Sequence, residues 1–359
     1  MDMHIQTADP AQRRPKPADE SHLGFGKIYS DHMFLLDWTR EKGWHGARIT
    51  PYQPLAMDPA TLVLHYGQSI FEGLKAYRNP QGNLQLFRPA MNWARMTQSA
   101  QRLSMPALDE AAVTEGLGQL LTLDHDWVPR SPGTSLYIRP TMIAMDPYVG
   151  LKSSSRFLFF IITSPVGAYY PEGFNPVKIQ VCERYSRAGP GGLGQAKTAA
   201  NYAASLLAQV EAAEQGYTQV LWLDACNRKY LEEVGAMNIM VKIGGKVITP
   251  PVAGTILAGV TRDSVIHLLR HWKIPVEERP ISIDEVTEAQ KSGQLEEIFG
   301  CGTAAVISPV GLLNHKERDY VVGGGKTGPT AQRLFDELVG IQYGTRPDPF
   351  GWVEKVKTP

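Results

Sequence analysis

Apolar and polar positions along this chain follow two rhythms that alternate. Period-two runs rich in β-branched and aromatic residues fall at 32–36, 83–87, 135–142 and 156–163 and predict strands; helical spacing fills 89–103 and 108–120. The first of these helices opens on Pro89, whose fixed φ and missing N–H suit a first turn. The second half predicts a strand over 177–182, a glycine-rich loop, a helix over 199–214 and a strand over 218–223. Strands at 238–243 and 246–248, helices at 261–273 and 283–291, strands at 297–300 and 304–308 and a helix at 328–340 complete it. The pattern describes a mixed α/β (α+β) chain in two domains. A small α/β domain over 23–164 and a larger one over 176–359 are joined by a proline- and glycine-marked connection over 165–175, and a polar tail over 1–22 is expected to be flexible.

The 359 residues fit two average domains, and a 43% hydrophobic content supplies sizeable cores and excludes wholesale disorder. Lysine plus arginine and aspartate plus glutamate each number 36, so the net charge is zero. A general nucleic-acid binder, which needs a basic surplus to displace counterions, is disfavoured. The longest apolar run, FLFFIIT over 157–163, is far short of the roughly 20 residues that span a bilayer, so no membrane association is expected. Cys182, Cys226 and Cys301 form an odd set without CxxC spacing, which suggests neither a disulfide framework nor a thiolate metal site. The N-terminus lacks an apolar signal core and carries Asp2, Asp9, Asp19 and Glu20, against a transit peptide; a cytoplasmic location is the expectation.

The glycine-rich segment AGPGGLGQAKT, residues 188–198, imitates phosphate loops. Gly189, Gly191 and Gly194 satisfy GxGxxG, but Gly189 lies several residues beyond the strand end at Cys182, whereas a dinucleotide turn follows its strand directly. Walker A needs glycine immediately before lysine, and Gln195 and Ala196 intervene. Gly325, Lys326 and Thr327 supply GKT, with Tyr320 where the first glycine belongs. His267 and His271 share a helix face, but Leu268 follows His267 where a metalloprotease has glutamate; no metal site is expected.

What remains is Lys197 among small residues. Lysine is rarely buried without a partner, so a solvated charge is the ordinary expectation from local sequence. A desolvated lysine, however, has a lowered pKa and condenses with aldehydes. Other segments change that balance: HYGQSIFEGLKAY at 65–77, LFRP at 86–89 with NWARM at 92–96, GTSLYIRP at 133–140, GQAKTAANY at 194–202, LEEVGAMN at 231–238, GVTR at 259–262 and GCGTAA at 300–305. Over roughly residues 23–345 the chain resembles the branched-chain amino-acid aminotransferases, pyridoxal-phosphate enzymes of fold type IV related in fold to D-amino-acid aminotransferase, and most of all their eukaryotic-type branch.

The resemblance implies a homodimer that moves the amino group of leucine, isoleucine or valine to 2-oxoglutarate in two half-reactions. It implies that Lys197 holds pyridoxal 5'-phosphate covalently and shuttles the α-proton. Glu233 would face the ring nitrogen, with Glu232 the competing choice; Tyr202 would meet the phenolic oxygen. Arg95, the Val260 and Thr261 amides at a helix start and Thr303 would hold the phosphate, although Thr261 alone reads equally well as an ordinary N-cap. Phe25, Phe71, Tyr137, Tyr169 and Ala236 would line an apolar pocket, joined by Tyr66, Val149 and Leu151 of a second copy. Ala304 would receive the α-carboxylate, and Arg139 would help with the second carboxylate of the acceptor. Ala236 replaces a threonine of the animal enzymes, and Ala305 and Ser308 stand where those carry a redox cysteine pair, so that regulation is not expected. The competing readings are another fold type IV enzyme, which the 133–140 motif disfavours, and a non-catalytic relative, which the retention of Lys197, Tyr202 and Glu233 disfavours.

Overall fold

Leu136, Ile138 and Met142 are wholly buried on one side of their strand, while Tyr137 and Arg139 alternate with them on the other, and this period-two division organises the first half of the molecule. The computed structural model describes residues 2–167 and 174–356. They form two units, the first of residues 2–167, 196–199 and 340–356, the second of 174–195 and 200–339. Residues 196–199 and 340–356, assigned to the second domain from sequence, thus group with the first, which is the larger of the two units.

The first unit holds a sheet of β1 (His4–Ile5), β2 (His32–Thr39), β3 (Gly43–Pro51), β4 (Ser69–Phe71), β5 (Leu74–Arg78), β6 (Leu84–Phe87), β7 (Ser135–Ala144), β8 (Arg156–Val166) and the C-terminal strand Val353–Lys355. Its order is β1-β3-β2-β8-β7-β5-β6 and then the C-terminal strand, with β4 also on β7. The short helix α1 (Leu62–Tyr66) is followed by α2 (Pro89–Arg102) and α3 (Glu110–Leu123). Trp93 and Met96 of α2 and Val113, Leu117 and Leu120 of α3 pack on Phe34, Leu84, Leu136, Ile138 and Phe159 of the sheet. Full burial of each such side chain contributes about 1.5–3 kcal/mol. Helix α3 begins two residues later than its apolar spacing suggests because Asp109 takes the cap, accepting from the Ala112 amide at 3.0 Å. Strand β8 runs to Val166, past the expected end at 163 and through Pro165. Beyond Ile161 it pairs as a strand only with β7, so a proline lacking its N–H is tolerated there.

The tail expected over 1–22 is instead anchored. Strand β1 lies parallel to β3 through His4↔Arg48 and Ile5↔Ile49. The Ala8 amide donates to His32 Nε2 at 2.8 Å, and the Arg14 amide to Asp31 Oδ1 at 2.8 Å. Hydropathy does not show such bonds, because they satisfy backbone groups through distant polar side chains.

The second unit contains β9 (Val177–Cys182), α4 (Ala199–Glu214), β10 (Gln219–Leu223), β11 (Leu231–Val234), β12 (Met237–Ile243), β13 (Lys246–Thr249), α5 (Val260–His271), β14 (Val276–Glu278), α6 (Ile283–Lys291), β15 (Leu295–Gly302), β16 (Val306–His315), β17 (Arg318–Val321) and α7 (Pro329–Gln342), the last three residues of which are grouped with the first unit. The order β11-β10-β9-β16-β15-β12, with β11 also paired to β12, closes six strands on themselves. Ile179, Leu221, Ile239, Val241, Ile298 and Leu313 belong to its buried core. Helix α4 packs through Ala208 and Ala212 on Cys182, Val220 and Trp222. No helix among the described residues is long and apolar enough to cross a membrane.

Candidate active site

The lysine singled out from sequence is stitched to the first unit by its own backbone. The Lys197 carbonyl accepts from the Phe71 amide at 3.0 Å, and its amide donates to Ser99 Oγ at 2.9 Å. Thr198 bridges Ile70 in antiparallel fashion and donates through its hydroxyl to the Ser69 carbonyl at 2.7 Å. Residues 196–199 thereby run against β4. This places the Lys197 amine 5.0 Å from the centre of the Phe71 ring.

Three further expected residues share that ring and its neighbourhood. The Arg139 guanidinium lies 4.7 Å from the Phe71 centroid and donates through Nη2 to Tyr137 Oη at 3.0 Å. Phe25 meets Tyr137 with ring centres 4.8 Å apart. Gly73 makes room for this arrangement, since a Cβ there would lie 2.1 Å from Tyr137 Oη. Arg139 Nε is buried with no hydrogen-bond partner among the described residues, which leave one donor of a fixed cation unsatisfied beside an aromatic wall.

Arg95 is held by Glu72, whose side chain is fully buried. Its Nε donates to Oε1 at 2.7 Å and its Nη2 to Oε2 at 2.8 Å; Asn92 Nδ2 adds a bond to Oε2 at 2.8 Å and the Gly73 amide one at 3.2 Å. Burial pushes this carboxyl toward its neutral form. The Arg95 guanidinium, with Lys197 adding, outweighs that and keeps it below the usual carboxylate range.

In the second unit Glu233, on β11, receives the Leu257 amide on Oε1 at 2.8 Å and pairs through Oε2 with Arg187 Nε at 2.6 Å. Arg187 in turn donates to the Thr255 carbonyl at 2.8 Å. Asn238 faces Glu233 across β11 and β12 and donates to the Leu257 carbonyl at 2.9 Å, so adjacent side chains grip both ends of the loop residue that leads into α5. Glu232, its sequence neighbour, is also buried; its Oε2 has no hydrogen-bond partner among the described residues, and burial outweighs a side-chain hydrogen bond from Thr255 and raises its pKa. Of the two acids, Glu233 is the one with both carboxylate oxygens engaged.

Helix α5 starts at Val260, one residue earlier than expected. Gly259 is its cap, without a capping side chain, which makes Thr261 a first-turn residue and not the cap. Its first amides therefore depend on something other than a capping oxygen, as at an anion-binding helix start. Thr303 and Ala304 form the turn between β15 and β16, followed by Val306 at φ +62°, an uncommon conformation for a β-branched residue. Asn238 pairs with Cys301, which puts this turn and the exposed Ala236 turn at the same barrel end. Tyr202 stands in the first turn of α4, half-buried. Tyr66 donates to the Val149 carbonyl; both are exposed, and Leu151 is 82% exposed. Tyr169 lies outside the described residues.

Sequence reasoning gave no role to Arg187, Ser99, Glu72 or Asn238. Glu72 and Asn238 lie inside the motifs that carry the resemblance, and Ser99 is one helical turn past Arg95; Arg187 has no local signal.

Comparison with known proteins adds a separate line. The family profile described as Amino-transferase class IV matches residues 69–313. The chain is 53% identical over 344 residues, 96% of its length and 94% of the other's, to branched-chain-amino-acid aminotransferase 2 of Bacillus subtilis. It is 47% identical to a probable branched-chain-amino-acid aminotransferase of Streptomyces coelicolor, covering 97% and 96% of the two chains. The fold matches the Escherichia coli branched-chain amino acid aminotransferase with a TM-score of 0.74 at 26% identity, over 90% of this chain and 99% of that one. The T.th. branched-chain amino acid aminotransferase complexed with N-(5'-phosphopyridoxyl)-L-glutamate matches with a TM-score of 0.74 at 25% identity, over 90% and 98%.

Proposed function

The chain belongs to the class IV aminotransferases, among the branched-chain-amino-acid aminotransferases, and on that premise we propose a residue-level account of how it moves the amino group of leucine, isoleucine or valine to 2-oxoglutarate. The observation that carries the account is Lys197, whose amine sits against an aromatic ring while its backbone carbonyl and amide are both hydrogen-bonded and the Thr198 hydroxyl beside it holds Ser69.

The cofactor is pyridoxal 5'-phosphate, which supplies an aldehyde for the amino group and a ring that takes up the electrons left when the α-proton departs. The residues present suit it: an amine held in place, a guanidinium locked by Glu72, a carboxylate pinned by Arg187 and the Leu257 amide, and a helix start without a capping side chain. In this reading Lys197 is the covalent anchor and then moves the proton at its ε-nitrogen. Arg95, Thr303 and the Val260 and Thr261 amides hold the phosphate. Glu233 holds the proton on the ring nitrogen, and Tyr202 orients the phenolic oxygen.

Phe25, Phe71 and Tyr137 exclude water around the aliphatic side chain; by resemblance alone, Ala236 and Tyr169 are assigned to substrate contact and Ala304 to the α-carboxylate. The unsatisfied Arg139 Nε supports a role in taking the second carboxylate of 2-oxoglutarate. The exposed apolar side chains of Tyr66, Val149 and Leu151 support assembly as a homodimer in which they serve the other copy. A cytoplasmic site of action belongs to the same reading.

The test is a spectral one. Adding L-leucine to the purified yellow protein should bleach the visible band and release the 2-oxo acid in equal amount, and 2-oxoglutarate should restore the colour. Lys197→Ala should abolish both. A Lys197→Ala protein that turns over leucine at the normal rate removes the assignment.

A further inference from the structure

Serine is a mediocre helix former, and a polar side chain inside a core costs stability unless its hydrogen bonds are met. Ser99 stands in the interior of α2 with 1% of its surface exposed. Its hydroxyl donates back to the Arg95 carbonyl, one turn earlier, at 3.0 Å. Such back-bonding is common for helical serines and by itself calls for no function. The same oxygen, however, accepts the backbone amide of Lys197 at 2.9 Å, across 98 residues of sequence. One hydroxyl therefore joins the backbone of the covalent anchor to the backbone of the phosphate-binding arginine.

We infer that Ser99 is a positioning residue, whose hydroxyl fixes the Lys197 backbone on the helix turn that carries Arg95 and so sets the span between the amine and the guanidinium. The inference rests on the reading of Lys197 and Arg95 as the two ends of the cofactor site.

The physical consequence is a coupling. A cofactor that must reach an amine at one end and a guanidinium at the other gains the full benefit of both contacts only if their separation is set in advance. The Phe71 amide and the Thr198 hydroxyl tie the lysine segment to β4, but the Ser99 oxygen ties it to α2. Remove that oxygen and each contact still forms, while the benefit of making both together falls. Loss of a merely structural hydrogen bond would weaken both contacts alike and lower the melting temperature.

The experiment compares pyridoxal 5'-phosphate with pyridoxal, which lacks the phosphate, on the wild-type protein and on Ser99→Ala, Ser99→Cys and Ser99→Thr. Dissociation constants come from the visible absorbance, alongside leucine kinetics and melting of the cofactor-free protein. For the wild type the phosphate should confer a large preference. In Ser99→Ala that preference should shrink about tenfold, as expected for one lost buried hydrogen bond, with kcat falling more than KM rises. Ser99→Cys, close in volume but a weak acceptor, should follow Ser99→Ala, and it carries the comparison if Ser99→Ala does not fold. Ser99→Thr, which keeps the hydroxyl, should recover most of the preference. An unchanged preference in Ser99→Ala or Ser99→Cys overturns the inference, whatever happens to the melting temperature. Failure of the wild-type protein to take up either aldehyde would instead overturn the function reading.

Discussion

Arg95 grips Glu72 side-on, Nε to Oε1 at 2.7 Å and Nη2 to Oε2 at 2.8 Å, in a site where the carboxylate has no solvent exposure. Two of the three guanidinium nitrogens are thereby committed, and the orientation of the third follows. A planar fork with two parallel bonds is a geometry that lysine does not reproduce. Glu72→Gln keeps the shape but turns an NH2 toward a guanidinium. It is expected to destabilise the cofactor-free protein by about 3–5 kcal/mol, the usual cost of unpairing a buried charge. Affinity for pyridoxal 5'-phosphate should fall at least about tenfold through the loosened Arg95. Thermal melting and cofactor titration measure the two effects, and native values for both would show the pair to be idle.

Glu233 and Glu232 are adjacent acids with different surroundings, and their substitutions should differ accordingly. Glu233→Gln should lower kcat with leucine on the order of a hundredfold, the scale of a lost transition-state interaction. Glu232→Gln alters a carboxyl whose Oε2 has no partner among the described residues and should cost activity little while leaving stability nearly level. Arg187→Met, which removes the partner of Glu233, should resemble Glu233→Gln more than Glu232→Gln. Steady-state kinetics on the three variants decide the order.

Lys75 gives the fold a pH dependence. Its side chain lies across from Tyr137 in the β5–β7 pairing, and burial pushes its ammonium from 10.5 down to about 8. Above about pH 10.5 the amine is neutral in folded and unfolded chains alike. As the pH falls toward 8 the unfolded chain takes up the proton first, so the folded state loses stability; below 8 the loss levels off. Lys75→Met should therefore stabilise the protein more at pH 7 than at pH 10.5, by on the order of 2–3 kcal/mol. Denaturant unfolding at the two pH values tests it, and an equal effect at both would contradict it.

The three cysteines should separate by reactivity. Cys226 is exposed, Cys182 is buried, and Cys301 is 1% exposed with its thiol pushed up to about 12 by burial. A thiol reagent at pH 8 should modify Cys226 quickly and the others only after denaturant is added. Mass spectrometry of the labelled protein would show it, and fast labelling of Cys301 would refute the buried assignment.

Where an element's own residues carry its period and its stops, the sequence located it. The strand Val177–Cys182 and the helices Ala199–Glu214 and Ile283–Lys291 have the bounds that the pattern predicts. Strand β3, Gly43–Pro51, was missed because its glycines, tryptophan and arginine show no clean alternation; it exists by pairing with β2 through seven partners. β11 was likewise invisible as a strand, although its two acids were noticed.

Motif spacing pointed to the chemistry proposed for this protein, because the amine, the acid and the helix start assigned to the cofactor each need particular residue types in a fixed local order. Tertiary structure alone decided what surrounds them: that residues 196–199 lie along β4, that Ser99 takes the lysine amide, and that Arg187 rather than a nearer cation meets Glu233. The partners in those contacts are 46 to 129 residues apart, as in Arg187 with Glu233 and Thr198 with Ser69. Charge pairing and hydrogen bonding act over a few ångströms of space and leave no period along the chain, so only folding reveals which groups meet.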